Sequence, residues 1–233
     1  MLEAVLFDWG GTLMDWVWDE ECLVAGHHDG LAAIGRPYED EFTERFRAGL
    51  LPLLGSEAPE EIEYPELIRE LVGGASDEEL VRYLEAEHAA WAPARRLGAW
   101  THPLLDALRG RGLKLGLVSN TFDPEWLLLR DLDEQGLAQR LDVAVFSSAV
   151  GKRKPHPEIY RRALDPLGVE PERALFVGDR LREDVRGPAE LGMTTVQALW
   201  FRAEEPVDGI EPDFRAFTQL DVLNAVDRLV SPT

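Results

Sequence analysis

Three polar side chains stand directly at the ends of apolar runs: Asp8 after AVLF, Ser119 after LKLGLV and Asp179 after ALFVG. Short apolar runs bounded by turn signals form buried strands. Parallel α/β sheets gather ligands at the carboxyl ends of their strands. Lys154 lies in GKRKPHPEIY, ahead of an expected helix. A carboxylate, a hydroxyl, a lysine and a second acidic cluster would then converge on one edge. Two carboxylates can coordinate Mg2+ and leave room for water and phosphate oxygens, so the chemistry to expect there is phosphoryl transfer.

The elements that must position these residues alternate along the chain. VAVF before Ser147 and TTVQAL near 194–199 are further strands. Helix-length segments lie at roughly 101–111, 124–135, 156–167, 183–192 and 217–230. Strand alternating with helix implies parallel pairing, so the fold class expected is α/β, a Rossmann-like doubly wound parallel sheet. Residues 15–98 break this rhythm, with no convincing strand and helical stretches near 17–34, 39–51, 61–73 and 77–91. Ser76 as cap, with Glu79 three residues on, marks the start of the last of these. The expected organisation is a core of residues 1–14 and 99–233 with an all-helical cap domain, 15–98, inserted after the first strand. Hinges fall near 13–16 and 93–100, where Pro93 and Gly98 mark a boundary.

A chain of 233 residues, 45% of them hydrophobic, can bury the core of one large domain with an insertion. Its formal net charge of −20 opposes nucleic acid and anionic membranes as partners. An anionic substrate must then be met by local positive groups or a bound cation. Cys22 is the only cysteine, so no intrachain disulfide forms, and Cys22 is read as a small buried hydrophobe. The segment MLEAVLFDWGG lacks the basic region of a signal peptide, and the chain has no apolar run long enough to span a bilayer. A cytoplasmic location is the expectation.

Four motifs, in order, resemble those of the haloacid dehalogenase (HAD) superfamily: VLFDWGGTL, LGLVSNT, KPHPEIY and VGDRLRED. The helical insertion is similar to that family's commonest cap. The resemblance implies that Asp8 attacks phosphorus and becomes an aspartyl phosphate. It implies Mg2+ held by Asp8, the main-chain carbonyl of Gly10 and Asp179, with Asp184 nearby and Glu183 as its substitute. Ser119 and Lys154 would hold the phosphoryl oxygens, with Lys152 a weaker alternative to Lys154. Thr12 would steady the motif loop, and Asn120 is open between a substrate contact and a helix-start signal. The substrate class implied is a small phosphorylated metabolite, hydrolysed under a cap that excludes water.

One position departs from the pattern. Phosphatases of that family carry a second aspartate two residues after the nucleophile, where this chain has Gly10. The carbonyl remains for a metal, but the general acid–base side chain is gone, which typically costs about 100- to 10,000-fold in rate. His27, His28 and Asp15 are candidate replacements, each with a plainer reading as a solvated or capping residue. Trp9, Trp16 and Trp18 either line an apolar pocket or pack the core. Two alternatives follow from Gly10: a phospho-ligand-binding relative with little turnover, and a metal-independent haloacid dehalogenase. A Schiff-base phosphonate hydrolase is rejected, because no lysine occurs before Lys114.

Overall fold

Four apolar residues in a row, Ala4–Phe7, form β1 and are completely buried because both faces of the strand are covered. Val5 and Phe7 enter one core cluster and Ala4 and Leu6 the other, as the two-residue repeat of a strand requires. The structure, a computed structural model, describes residues 1–54, 58–202 and 204–230. The remaining strands of the main sheet are β4 (Lys114–Ser119), β5 (Val143–Phe146), β6 (Ala174–Gly178), β7 (Thr194–Ala198) and β8 (Phe214–Ala216). Their order is β5-β4-β1-β6-β7-β8, and every pair is parallel.

Helices α5 (Thr101–Gly110), α6 (Glu125–Glu134) and α10 (Asp221–Val230) cover one face through residues such as Leu104, Leu128 and Val222. Helix α8 (Pro157–Leu167) covers the other through Ile159, Tyr160 and Leu164. Each fully buried apolar side chain of this kind contributes about 1.5–3 kcal/mol. The chain runs from β1 outward to β4 and β5, then returns to β6 on the opposite side of β1. The crevice at this reversal lies beyond the carboxyl ends of β1, β4 and β6, where Asp8, Ser119 and Asp179 stand.

Between β1 and α5 come α1 (Glu20–Ala33), α2 (Asp40–Leu54), α3 (Tyr64–Leu71) and α4 (Asp77–Ala90). They share a cluster of their own, with Leu23, Phe42, Phe46, Ile68, Tyr83 and Leu84 inside it. A Cβ on Gly30 would sit 2.7 Å from the Tyr83 ring, so glycine allows α1 and α4 to pack this closely. The Ser76 capping box is formed: its Oγ accepts from Glu79 N at 3.2 Å, and Glu79 Oε2 accepts from Ser76 N at 2.8 Å. Phe122 and Leu127, which flank the start of α6, extend this cluster onto the sheet domain.

The segment read as strand-free contains most of a small antiparallel pair, β2 (Met14–Trp16) and β3 (Arg95–Leu97). Each strand has three residues, too few for an apolar repeat to register in sequence. They form where the chain enters and leaves the helical block, so each supplies the other's backbone partners. The helix expected over 183–192 is instead a π-helical turn, Leu181–Arg186, followed by the short α9 (Gly187–Glu190). Another short helix, α7 (Ser147–Val150), follows β5 directly. No helix among the described residues is long and apolar enough to cross a membrane.

Candidate active site

Asp8 follows β1 without a break, and its N–H donates to Val177 O on β6 at 2.9 Å, which fixes the carboxylate at the sheet edge. The chain then turns tightly: Trp9 O accepts from Thr12, Leu13 and Met14 N–H groups at 3.2, 3.0 and 2.9 Å. Gly11 permits this with a φ of 92°, and a Cβ there would lie 2.5 Å from both Asp179 and Arg202. Thr12 is fully buried. Its carbonyl accepts from Trp200 Nε1 at 2.8 Å and Gln219 Nε2 at 3.3 Å, so it is the backbone of Thr12 that is held, while its hydroxyl lacks a protein partner.

Lys154 reaches the same place from the loop before α8. Its backbone N–H donates to Asn120 Oδ1 at 2.7 Å, and its carbonyl accepts from Asn120 Nδ2 at 3.1 Å. Asn120 therefore holds the lysine loop with both ends of its amide. Lys154 Nζ donates at 2.7 Å to Asp8 Oδ1 and at 2.7 Å to Asp184 Oδ1. Asp184 Oδ2 accepts from Arg180 N at 2.9 Å. Gly178 makes room for Asp184, since a Cβ there would fall 2.3 Å from its side chain. Asp179 Oδ2 meets Arg202 Nε at 2.8 Å, while Asp179 Oδ1 is buried without a partner.

Carboxylate oxygens of Asp8, Asp179 and Asp184 all lie within 4.8 Å of one another. Ser119, 5% exposed, ends β4 on the wall of the same cavity. Glu183 is directed to Arg180 at 3.5 Å, and Lys152 pairs with Glu60 at 2.7 Å near the surface. Of the paired alternatives left open by sequence, Asp184 and Lys154 are the ones in the cluster. His27 is buried against Phe42 and Phe46 in the helical block, His28 is exposed beside Asp29, and Asp15 faces Arg96. None of these three lines the cavity.

The electrostatics are those of crowded carboxylates. Burial pushes the Asp179 carboxyl up to about 6, and the nearby Asp8 charge adds to this against the opposing Arg202. Burial also raises Asp184, against the pull of Lys154. Burial alone would lower Lys154, but Asp184 and Asp8 outweigh it and hold the ammonium charged. Lys154 and Arg202 thus face three buried acids. The hard oxygen donors, the orphaned Asp179 Oδ1 and the excess of acids together fit a small divalent cation.

A haloacid dehalogenase-like hydrolase family model matches residues 2–192. The chain belongs to that family. A phosphoglycolate phosphatase of Aquifex aeolicus is 29% identical over 230 residues, 97% of each chain. A glyceraldehyde 3-phosphate phosphatase of Methanopyrus kandleri is 36% identical over 131 residues, and the match spans 54% of this chain and 55% of that relative. The crystal structure of a HAD phosphatase from Thermococcus onnurineus superposes with a TM-score of 0.69 at 28% identity, covering 97% of this chain and 98% of that one.

Sequence reasoning missed several residues around this HAD-like site. Arg202 braces Asp179, and nothing distinguishes it in sequence from the chain's other arginines. Glu61, from the segment before α3, reaches Ser147 Oγ at the end of β5. His88 on α4 bridges to the sheet domain, with Nδ1 3.1 Å from Asp123 Oδ2 and Nε2 3.0 Å from Asp131 Oδ2; Arg95 also engages Asp131. Burial lowers the His88 pKa, yet the two aspartates outweigh that and leave it above its ordinary 6.5. A raised histidine stabilises fully below its unfolded value and loses the contribution as pH rises through its folded value. Melting curves should therefore show stability falling as pH rises past about 6.5. His88→Gln should flatten that part of the profile. An unchanged profile would show that the bridge carries no charge.

Proposed function

We propose that the chain is a Mg2+-dependent phosphatase of small phosphate monoesters, with Asp8 as nucleophile. The gathering of Asp8, Asp179 and Asp184 around Lys154 on the central strand's edge carries this reading. Asp8, Asp179, Asp184 and the Gly10 carbonyl would hold the cation. Bound there, Mg2+ would offset phosphate charge and polarise the phosphoryl group. The remaining roles belong to the chain itself. Asp8 presents a carboxylate oxygen to phosphorus. Lys154, already charged, moves from its carboxylate partners to phosphoryl oxygens, and Ser119 donates its hydroxyl to another. Asn120 and Thr12 position the loops that carry Lys154 and Asp8. The helical block, residues 15–98, acts as a cap that shields the site from water, turning on β2 and β3.

The relatives named for phosphoglycolate and glyceraldehyde 3-phosphate hydrolysis support a small phosphorylated metabolite as substrate. Gly10 does not favour the binder alternative by itself, because Asp8, Lys154 and the acidic cluster lie together at one site. The reading is tested by phosphate release from a panel of phosphorylated metabolites, with Mg2+ and with chelator. Release that requires Mg2+ supports it, and tight binding without release overturns it.

The cation also leaves a thermodynamic signature. A ligand at about 100 times its Kd adds about 2.7 kcal/mol, or about 5–10 °C in Tm for a chain of this size. Mg2+ should raise Tm by that amount, and Asp179→Asn should abolish the rise. Equal shifts in both proteins would place the cation elsewhere.

A further inference from the structure

The cavity that opens onto Asp8 has a volume of about 420 Å3, large enough for a phosphate carrying one ring. Its floor is charged, but one wall is not: Trp16, Trp18 and Phe122 line it, with Leu54 and Leu128 alongside. These aromatic rings are half-buried, as cavity walls are. They are also held in place. Trp16 stacks on Trp91 with centroids 6.0 Å apart and planes at 24°, Trp18 meets Trp91 at 5.3 Å, and Phe122 packs on Tyr64 at 4.7 Å. A preformed aromatic wall costs little to order when a flat apolar group enters. Arg95 stands beside this wall with its charge met by Asp131.

The second observation concerns protons. Residue 10 has no side chain, and the ionisable groups around the cavity are engaged. Glu61 is bonded to Ser147 Oγ and to Ile62 N at 2.8 Å. His88 is held between two aspartates, Glu183 faces Arg180, and Lys154 lies between Asp8 and Asp184. The arginines cannot give up a proton. A leaving oxygen therefore lacks the dedicated donor that a side chain at position 10 would supply, and a leaving group that is stable as the anion is favoured. Departure as the anion is easy for a phenol, whose pKa is about 10, and hard for an alkanol, whose pKa lies far above that, near that of water.

We propose that the substrate is an aryl phosphate monoester, its ring against Trp16, Trp18 and Phe122 and its phosphate at Asp8. This rests on the phosphatase reading above. A carboxylate oxygen of Asp8 bonds to phosphorus as the phosphorus–aryl oxygen bond breaks. The electron pair leaves on the phenolate, which takes its proton from bulk water. Water then attacks the phosphorus of the aspartyl phosphate, the bond to Asp8 breaks with its electrons returning to the carboxylate, and the water proton passes to solvent.

Four compounds separate the requirements: phenyl phosphate (ring, good leaving group), benzyl phosphate (ring, poor leaving group), acetyl phosphate (good leaving group, no ring) and 2-phosphoglycolate (neither). With Mg2+ and the wild-type protein, kcat for phenyl phosphate should exceed that for benzyl phosphate by about 100-fold or more, the span a general acid would have closed. kcat/KM for phenyl phosphate should also exceed that for 2-phosphoglycolate. In Trp18→Leu, the kcat/KM ratio of phenyl to acetyl phosphate should fall about tenfold, the loss expected when an aromatic contact is removed. Benzyl phosphate or 2-phosphoglycolate turned over as fast as phenyl phosphate would overturn the aryl assignment and leave the phosphatase reading standing. An unchanged ratio in a folded Trp18→Leu protein would overturn the ring subsite. Release from none of the four would overturn both readings.

Discussion

Asp8→Asn is expected to lower phosphate release by about 10,000-fold or more, because an amide cannot supply the attacking carboxylate oxygen. The loss should appear in kcat, with substrate binding largely kept, since Ser119 and Lys154 remain. Unfolding is not the expected cause. Asn has the shape of Asp, and Lys154 keeps its 2.7 Å contact to Asp184. One of three crowded negative charges is also removed, and that charge helps raise both Asp179 and Asp184. Circular dichroism melting alongside the rate measurement separates the two effects. A folded Asp8→Asn protein that retains a tenth of the wild-type rate would remove Asp8 from the chemistry.

Gly10→Asp should act in the opposite direction, as a gain. The backbone at Gly10 does not have a positive φ, and a Cβ there would meet Trp16 Cβ at 3.6 Å, an ordinary contact. The aspartate can therefore be built without strain, beside the nucleophile and facing the cavity that Gly10 lines. General acid–base catalysis is worth about 100- to 10,000-fold, so turnover of an alkyl phosphate should rise by that order while an aryl phosphate gains far less. Gly11→Ala is the contrasting case, because its Cβ would collide with Asp179 and Arg202 at 2.5 Å. If Gly10→Asp binds Mg2+ and the alkyl phosphate rate stays flat, another group is already donating the proton.

The main sheet and its reactive edge were legible because they are written in short-range signals. Asp8, Ser119 and Asp179 follow apolar runs whose two faces both find cover, so each run ends where the apolar core gives way to the buried polar cluster. Ser76 and Glu79 announce their helix through bonds spanning three residues. The three-residue strands β2, β3 and β8 carry no comparable repeat. The choice between Glu183 and Asp184 was also beyond sequence. Both lie on a π-helical turn, where side chains do not follow the usual helical spacing, and only the three-dimensional path turns Asp184 inward. Long-range pairings were invisible for a different reason. Asn120 grips a backbone 34 positions away, and His88 meets Asp131 across 43. For His27 the sequence allows a replacement base but reads more plainly as a solvated helix residue; it is neither solvated nor at the site, being enclosed by Phe42 and Phe46, and burial lowers its pKa to about 4.

The claim beneath all of this is that Asp8 becomes covalently phosphorylated. Water attack on that intermediate is unassisted by any side chain at position 10, so the intermediate should accumulate. The direct measurement is acid quenching of the Mg2+-loaded protein during turnover of acetyl or phenyl phosphate, followed by intact mass and peptide mapping. The expected result is one added phosphoryl group on the peptide containing Asp8, labile to hydroxylamine and absent from Asp8→Asn. Turnover with the phosphoryl group on another peptide, or with no covalent species at any quench time, would contradict the account.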